Sequence, residues 1–309
     1  MDPRRASYHQ VAYDAQRMTS DVATTASKTW NVDLARISAV LEKSDDGIWT
    51  PRTTRHEAVS FPDDGHDVCF RIEDASLWFA HRNACIAAAL LRHGVDGPLL
   101  DVGGGNGAVS KALEERGIDT VLLEPGREGA RNARRRGVRN VICATLQDAG
   151  IEAGAFGAAG AFDVIEHVAD DAALLREIHR VLRPGGTLCV TVPAYGWLWS
   201  SEDELAGHHR RYSRGRLEAL LAGGAFKVEY ATHFFAPFTL PVLLMRSVPH
   251  RLRARRSVEE VSEGAARQHI MSPFPRRVMT SVLAPEVWRI ASGRTIPFGT
   301  SILAVATKT

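Results

Sequence analysis

Cysteine is scarce. Cys69, Cys85, Cys143 and Cys189 are the only four in 309 residues, and no two form a Cys-x-x-Cys pair. That spacing argues against a thiolate zinc site and against a disulfide framework, so a reducing cytoplasm is the expected home. Long apolar runs are missing too. No stretch reaches the roughly 18 uninterrupted apolar residues of a spanning helix. The first residues mix charged and polar side chains throughout, without the apolar core of a secretory signal. A soluble chain with no stable membrane insertion is expected. Net charge is small, +2, so no global field draws the chain to nucleic acid. The basic run Arg251-Leu252-Arg253-Ala254-Arg255-Arg256 lacks aromatic interleaving and any nucleic-acid motif, which excludes a nucleic-acid partner from the expectation. Beside the apolar stretch 238–248 it reads as a solvated helix edge ahead of a lipid-docking segment. No internal repeat is evident.

What is present suits one large globular domain, or a core with an appendage: 45% hydrophobic and 24% charged residues. Residues 1–75 have no strong α/β rhythm, only an amphipathic pattern near 32–41 and a turn-rich stretch at 61–65, and read as an N-terminal cap. From there the pattern alternates. Helices are expected over 74–94, 108–116, 128–136, 170–182 and 213–221. Strands are expected over 98–102, 120–123, 140–144, up to about 162–165, then 187–193, 226–235 and 301–306. Strand-helix alternation at this spacing implies βαβ crossovers and an α/β, mostly parallel sheet covered on both faces. The core is thus expected over 76–236 and 293–309. Residues 237–292 form a helical insertion before the last strand, with a helix near 277–290, and are expected to act as an acceptor lid.

The first strand delivers Asp101-Val102-Gly103-Gly104-Gly105-Asn106-Gly107. Glycines between a strand and a helix let backbone approach a ligand, and the helix N-terminus adds free N–H donors. The loop alone also loosely fits a dinucleotide fingerprint, Gly103-x-Gly105-x-x-Ala108. Asp101 weighs against that reading: a carboxylate suits a ligand with an ammonium and a sulfonium, and is unwelcome beside a pyrophosphate. Glu124, ending the second strand, is placed to bind ribose hydroxyls of either cofactor.

Together, residues 101–107, Glu124, Phe162-Asp163-Val164-Ile165-Glu166-His167-Val168 and Val181-Leu182-Arg183-Pro184-Gly185-Gly186 resemble the successive motifs of class I S-adenosylmethionine-dependent methyltransferases, over about residues 98–193. The segments 194–200 and 207–212 are similar to a bacterial small-molecule branch of that superfamily. The resemblance implies a Rossmann-like, seven-stranded sheet with its last strand antiparallel. It implies that Gly103, Gly105 and Gly107 hold the methionine part of S-adenosyl-L-methionine, that Asp101 serves its ammonium, and that Glu124 binds ribose. Leu146 with Gln147 or Asp148 should border adenine, with Asp163 in the same site.

Methyl transfer is an in-line displacement, so the protein must align the acceptor, exclude water and take up a proton where the acceptor loses one. His167, or Glu166, follows the fourth parallel strand, where ligands of open α/β sheets bind, and is the candidate base. A structural reading of the pair is equally open. Asp163, Glu166, His167 and His208 or His209 could instead hold a divalent ion, although none is expected. Trp197, Trp199, His208, His209, Arg210, Arg211 and Tyr212 form a candidate acceptor pocket, with His81 and Arg82 as secondary members. The expected reaction is O- or C-methylation of a small molecule in secondary metabolism. The alternatives are an anionic, phosphorylated or lipid-like acceptor with metal assistance, an NAD-dependent oxidoreductase, and a non-catalytic module of the same fold. A homo-oligomer is compatible with all of them.

Overall fold

The computed structural model describes residues 32–53, 70, 72–252 and 273–309. Strands β1 (Leu41–Lys43), β2 (Trp49–Pro51), β3 (Leu99–Val102), β4 (Thr120–Leu123), β5 (Asn140–Ile142), β6 (Phe156–Phe162), β7 (Leu182–Pro193), β8 (Phe226–Phe234) and β9 (Ser301–Lys308) form one sheet. Its order is β1-β2-β5-β4-β3-β6-β7-β9-β8. The run β5-β4-β3-β6-β7 is parallel, and β9 lies antiparallel between β7 and β8. All the strands of that run, and β8 with them, therefore end at one edge of the sheet.

The sheet has nine strands, where seven were expected. The two extra come from residues read as a cap: β1 and β2 form an antiparallel hairpin, and Trp49 pairs with Ile142 of β5. The helix expected over 32–41 shrinks to a single turn, Leu34–Ile37, because Ser38 turns extended and its hydroxyl donates to the carbonyl of Ala149. The remainder of the proposed cap, residues 1–31, 54–69 and 71, lies outside the described residues.

Six longer helices follow the expected pattern: α1 (Leu77–His93), α2 (Ala108–Glu114), α3 (Arg127–Arg136), α4 (Asp171–Val181), α5 (Arg214–Gly223) and α6 (Pro273–Ala291). Ser76, Asp170 and Ser213 cap α1, α4 and α5 by accepting from backbone N–H groups of the first turn. Alternate strand residues then part between two cores. Leu100, Ala159, Leu188, Val190 and Ala304 face α4 and α5, while Leu99, Ala158, Cys189 and Leu303 face α1, α2 and α6. That is the period-two signature of a strand buried on both faces. The Arg183-Pro184-Gly185-Gly186 turn sits inside β7 as a bulge: Phe156 pairs with Leu182, but Ala158 already pairs with Thr187.

Candidate active site

The parallel strands converge on the glycine loop. Gly103 and Gly104 donate to the carbonyl of Leu123, which pins the loop to the end of β4. Gly103, Gly105 and Gly107 all have left-handed backbone, φ +69°, +52° and +78°, a region that side chains other than glycine enter at a cost. Space distinguishes them. A Cβ on Gly107 would lie 2.9 Å from Ala133 Cβ and 2.8 Å from Val138 Cγ2, whereas a Cβ on Gly105 meets nothing within 4 Å among the described residues. Gly105 thus faces an open cradle, and Gly107 lets α2 pack against α3.

Carboxylates ring this loop. Glu124 accepts from Gly105 N at 2.9 Å and from Gly126 N at 2.7 Å. Asp101 is buried and accepts from the Ser110 hydroxyl at 2.6 Å. Burial pushes its carboxyl up to about 6 against the opposing Ser110 hydrogen bond. Asn106 bonds Asn132 and Glu73, and Arg136 joins Glu73 at 2.6 Å and the Asn106 carbonyl at 2.6 Å. The segment before α1 is thereby strapped to the loop.

At the ends of β6, β7 and β8 stand three non-glycine residues with left-handed backbone: Asp163 (φ +56°), Tyr195 (+58°) and Phe235 (+60°). Such strain persists only where surroundings enforce it, and it concentrates at functional sites. Asp163 accepts from Arg82 at 2.5 Å and from Thr191 at 3.0 Å. Tyr195 stacks between Trp197 (5.0 Å, 22°) and His233 (5.2 Å, 16°). Phe235 stacks on Trp78 at 5.1 Å.

Beside Asp163, Glu166 is fully buried, and neither carboxylate oxygen has a hydrogen-bond partner among the described residues. Burial, reinforced by Asp163, raises its carboxyl well above the ordinary range. The His167 ring meets His208 edge to face at 4.7 Å. Desolvation, and then repulsion from His208, lowers its imidazole to about 4, so it is neutral at pH 7. Ring nitrogens of His167 and His208 and a Glu166 oxygen lie within 4.8 Å of one another.

Residues 100–190 match the family model described as a methyltransferase domain. That segment, under a third of the chain, is what resembles a methyltransferase domain. A ubiquinone biosynthesis O-methyltransferase of Psychrobacter arcticus is 37% identical to it over 100 residues, 30% of this chain and 38% of that protein. One from Pseudomonas paraeruginosa is 32% identical over 94 residues, 28% of this chain and 40% of that protein. The chain thus spans about two fifths of the length of the curated relatives it matches. Two solved structures share the fold. A Thermotoga maritima SAM-dependent methyltransferase covers 80% of this chain and 95% of its own at TM-score 0.50 and 17% identity. A chain of the Haloferax volcanii complex between the Trm112 methyltransferase activator and a methyltransferase covers 81% and 99% at TM-score 0.52 and 17% identity.

Within and around this matched segment, the expected site residues separate into three groups. Gly103, Gly105, Gly107, Asp101 and Glu124 meet at the loop, with Asp163, Glu166, His167 and His208 at the end of β6. A second group is held by internal bonds. Asp203 accepts from His208 Nδ1 at 2.8 Å and from Arg211 Nε at 2.7 Å, and its Oδ2 accepts from Ser200. Burial opposes ionisation of Asp203, but the bonds from His208 and Arg211 prevail and lower its carboxyl. Arg210 pairs with Asp171 at 2.8 Å, and the buried Tyr212 donates to the same carboxylate. His81 is buried with its Nε2 2.8 Å from Glu286, whose oxygens also accept from Phe235 N and Ala236 N. Arg82 lies 5.3 Å from the Trp78 and Phe79 ring centres. A third group is set by exposure: Leu146 is in the core, Gln147, His209 and Trp197 are exposed, Trp199 is half-buried, and Asp148 is buried.

Sequence reasoning missed Tyr195, His233 and Phe235. Tyr195 carried a usable signal, a bulky residue two positions beyond a strand end in the segment already singled out. His233 and Phe235 were read only as strand, and their role depends on β8 being parallel to β7.

Proposed function

We propose that this chain transfers the methyl group of S-adenosylmethionine to oxygen or carbon of a small-molecule acceptor. The observation that carries this reading is the open space over Gly105, bounded by the Glu124 carboxylate, in a loop whose other glycines are hemmed in. A ligand's methionine part fits that cradle, with Glu124 toward ribose and Asp101 behind the loop. Bound there, S-adenosylmethionine supplies an electrophilic methyl on a sulfonium. The name of the curated relatives, O-methyltransferase, supports an oxygen acceptor. Isothermal titration with S-adenosylhomocysteine and with NADH tests the donor: binding of NADH alone would overturn the reading.

The rest of the work falls to this chain's own groups. Tyr195 and Trp197 supply flat apolar walls that hold an acceptor and limit water. His167, neutral and beyond the end of β6, takes the proton of a hydroxyl acceptor as the new bond forms. His167→Ala should lower turnover by about a hundredfold while leaving donor affinity within about twofold, a loss confined to kcat. Equal loss of donor affinity would mean that His167 only shapes the pocket.

Glu166 favours a second reading. A fully buried carboxylate without a partner is costly unless it carries a proton or meets a cation. Glu166, His167 and His208, with Asp163 beside them, would hold a divalent ion, which would polarise an anionic acceptor. Under this reading manganese raises the Tm of the protein, Glu166→Gln removes the rise, and EDTA lowers turnover. A Tm indifferent to manganese would leave Glu166 as the protonated acid.

A further inference from the structure

A surface helix ordinarily turns its apolar side inward. The chain after β8 turns apolar residues outward as well as inward, where Ala236 and Phe238 pack against the core. A 3-10 turn (Ala236–Phe238), a helical turn (Thr239–Val242), a π-helical stretch (Leu243–Ser247) and a last turn (Val248–Arg251) run end to end. The residues they and the next position turn outward include Pro237, Leu240, Pro241, Leu244, Met245 and Leu252. Leu240 is 62% exposed, Leu244 56%, Met245 62% and Leu252 76%. Spacings of three, four and seven residues keep them on one side. Polar groups help tie the segment to the protein: Ser247 is buried and donates to the carbonyl of Leu198, and Arg246 pairs with Glu202. α6 repeats the pattern, with Val278, Val282 and Trp288 exposed along its length.

Charge says what this face fits. Among the described residues between 235 and 300 stand six arginines against one glutamate, although the whole chain carries only +2. That glutamate, Glu286, is buried against His81. Arg251, exposed at the end of the apolar face, donates to the carbonyl of Trp197, which ties the face to the rim of the candidate acceptor site. A second copy of this chain would bring the same arginines opposite these in a two-fold dimer. An anionic lipid surface offers the complementary sign, together with an apolar layer for Leu240, Leu244, Met245 and Leu252.

We propose that the outward face of residues 237–252 docks on the surface of an anionic phospholipid bilayer, lying in the plane of the interface. Among the described residues no helix is long and apolar enough to cross a membrane, so the attachment is peripheral. Residues 253–256 of the basic run lie outside the described residues.

The test is flotation of the full chain with vesicles of phosphatidylcholine, with and without phosphatidylglycerol. Binding is expected to the anionic vesicles and to weaken as salt rises. The double variant Leu244→Glu, Met245→Glu should reduce it about tenfold or more, with an unchanged circular-dichroism melt because both side chains are already exposed. Failure to float with anionic vesicles, or equal flotation of the variant, overturns the proposal. So does a concentration-dependent dimer, seen by sedimentation, that the same substitutions dissolve. Neither donor nor turnover enters the measurement, so its outcome is separate from that of the methyl-transfer reading.

Discussion

Gly105→Val should abolish binding of S-adenosylhomocysteine, a loss of about a hundredfold or more (about 2.7 kcal/mol), while the protein still folds. The backbone at Gly105 is left-handed and a Cβ there meets only open space. The fold therefore loses only the cost of holding a side chain in that region, about 1–2 kcal/mol, and the donor loses its cradle. Gly107→Ala should show the opposite. Its Cβ would press on Ala133 and Val138 at under 3 Å, adding an overpacking cost of about 1–3 kcal/mol to the backbone strain. Calorimetric titration and thermal melts read the two effects side by side. Unimpaired donor binding by Gly105→Val would move the donor off this loop.

Asp101→Asn should make the protein more stable at pH 8 and weaken donor binding. The Asp101 carboxyl ionises near 6 when folded and near 3.8 when solvated. Between those values the native state holds more protons than the unfolded state, so stability falls as pH rises from about 4 to about 6 and stays low above. A shift of that size corresponds to about 3 kcal/mol of penalty at neutral pH. Asparagine carries no charge and its amide oxygen can still accept from Ser110. The gain should therefore be full at pH 8 and vanish near pH 4, as read by urea unfolding at a series of pH values. A variant less stable than the parent at pH 8 would show that the ionised carboxylate is held favourably.

Most of the sheet could be read from local pattern because the strands from β3 to β7 are largely buried on both faces and mostly alternate with helices. Val121–Leu123 is an apolar run that, with the buried Thr120, stands between Asp119 and Glu124 and forms the strand expected. The hairpin β1–β2 escaped because Leu41-Glu42-Lys43 buries one residue in three and Trp49-Thr50-Pro51 ends in proline. Its strand character comes from pairing with β5, not from composition. At the site, the glycine loop was legible because conformation demands glycine there. The partners of the polar residues were not: Arg82 finds Asp163 across 81 residues, and His81 finds Glu286 across 205. No spacing rule reaches that far.

The place of β9 bears on the order in which the sheet can close. Ser301–Lys308 is the bridge by which β8 joins the sheet, with β7 on its other side. Until β9 has inserted, the edge of β7 is bare and β8 has no neighbour among the described strands. The apolar strand that carries Leu188, Val190 and Val192 then presents an open edge for mispairing. This half of the sheet is therefore completed by a long-range contact, from a strand more than a hundred residues beyond β7.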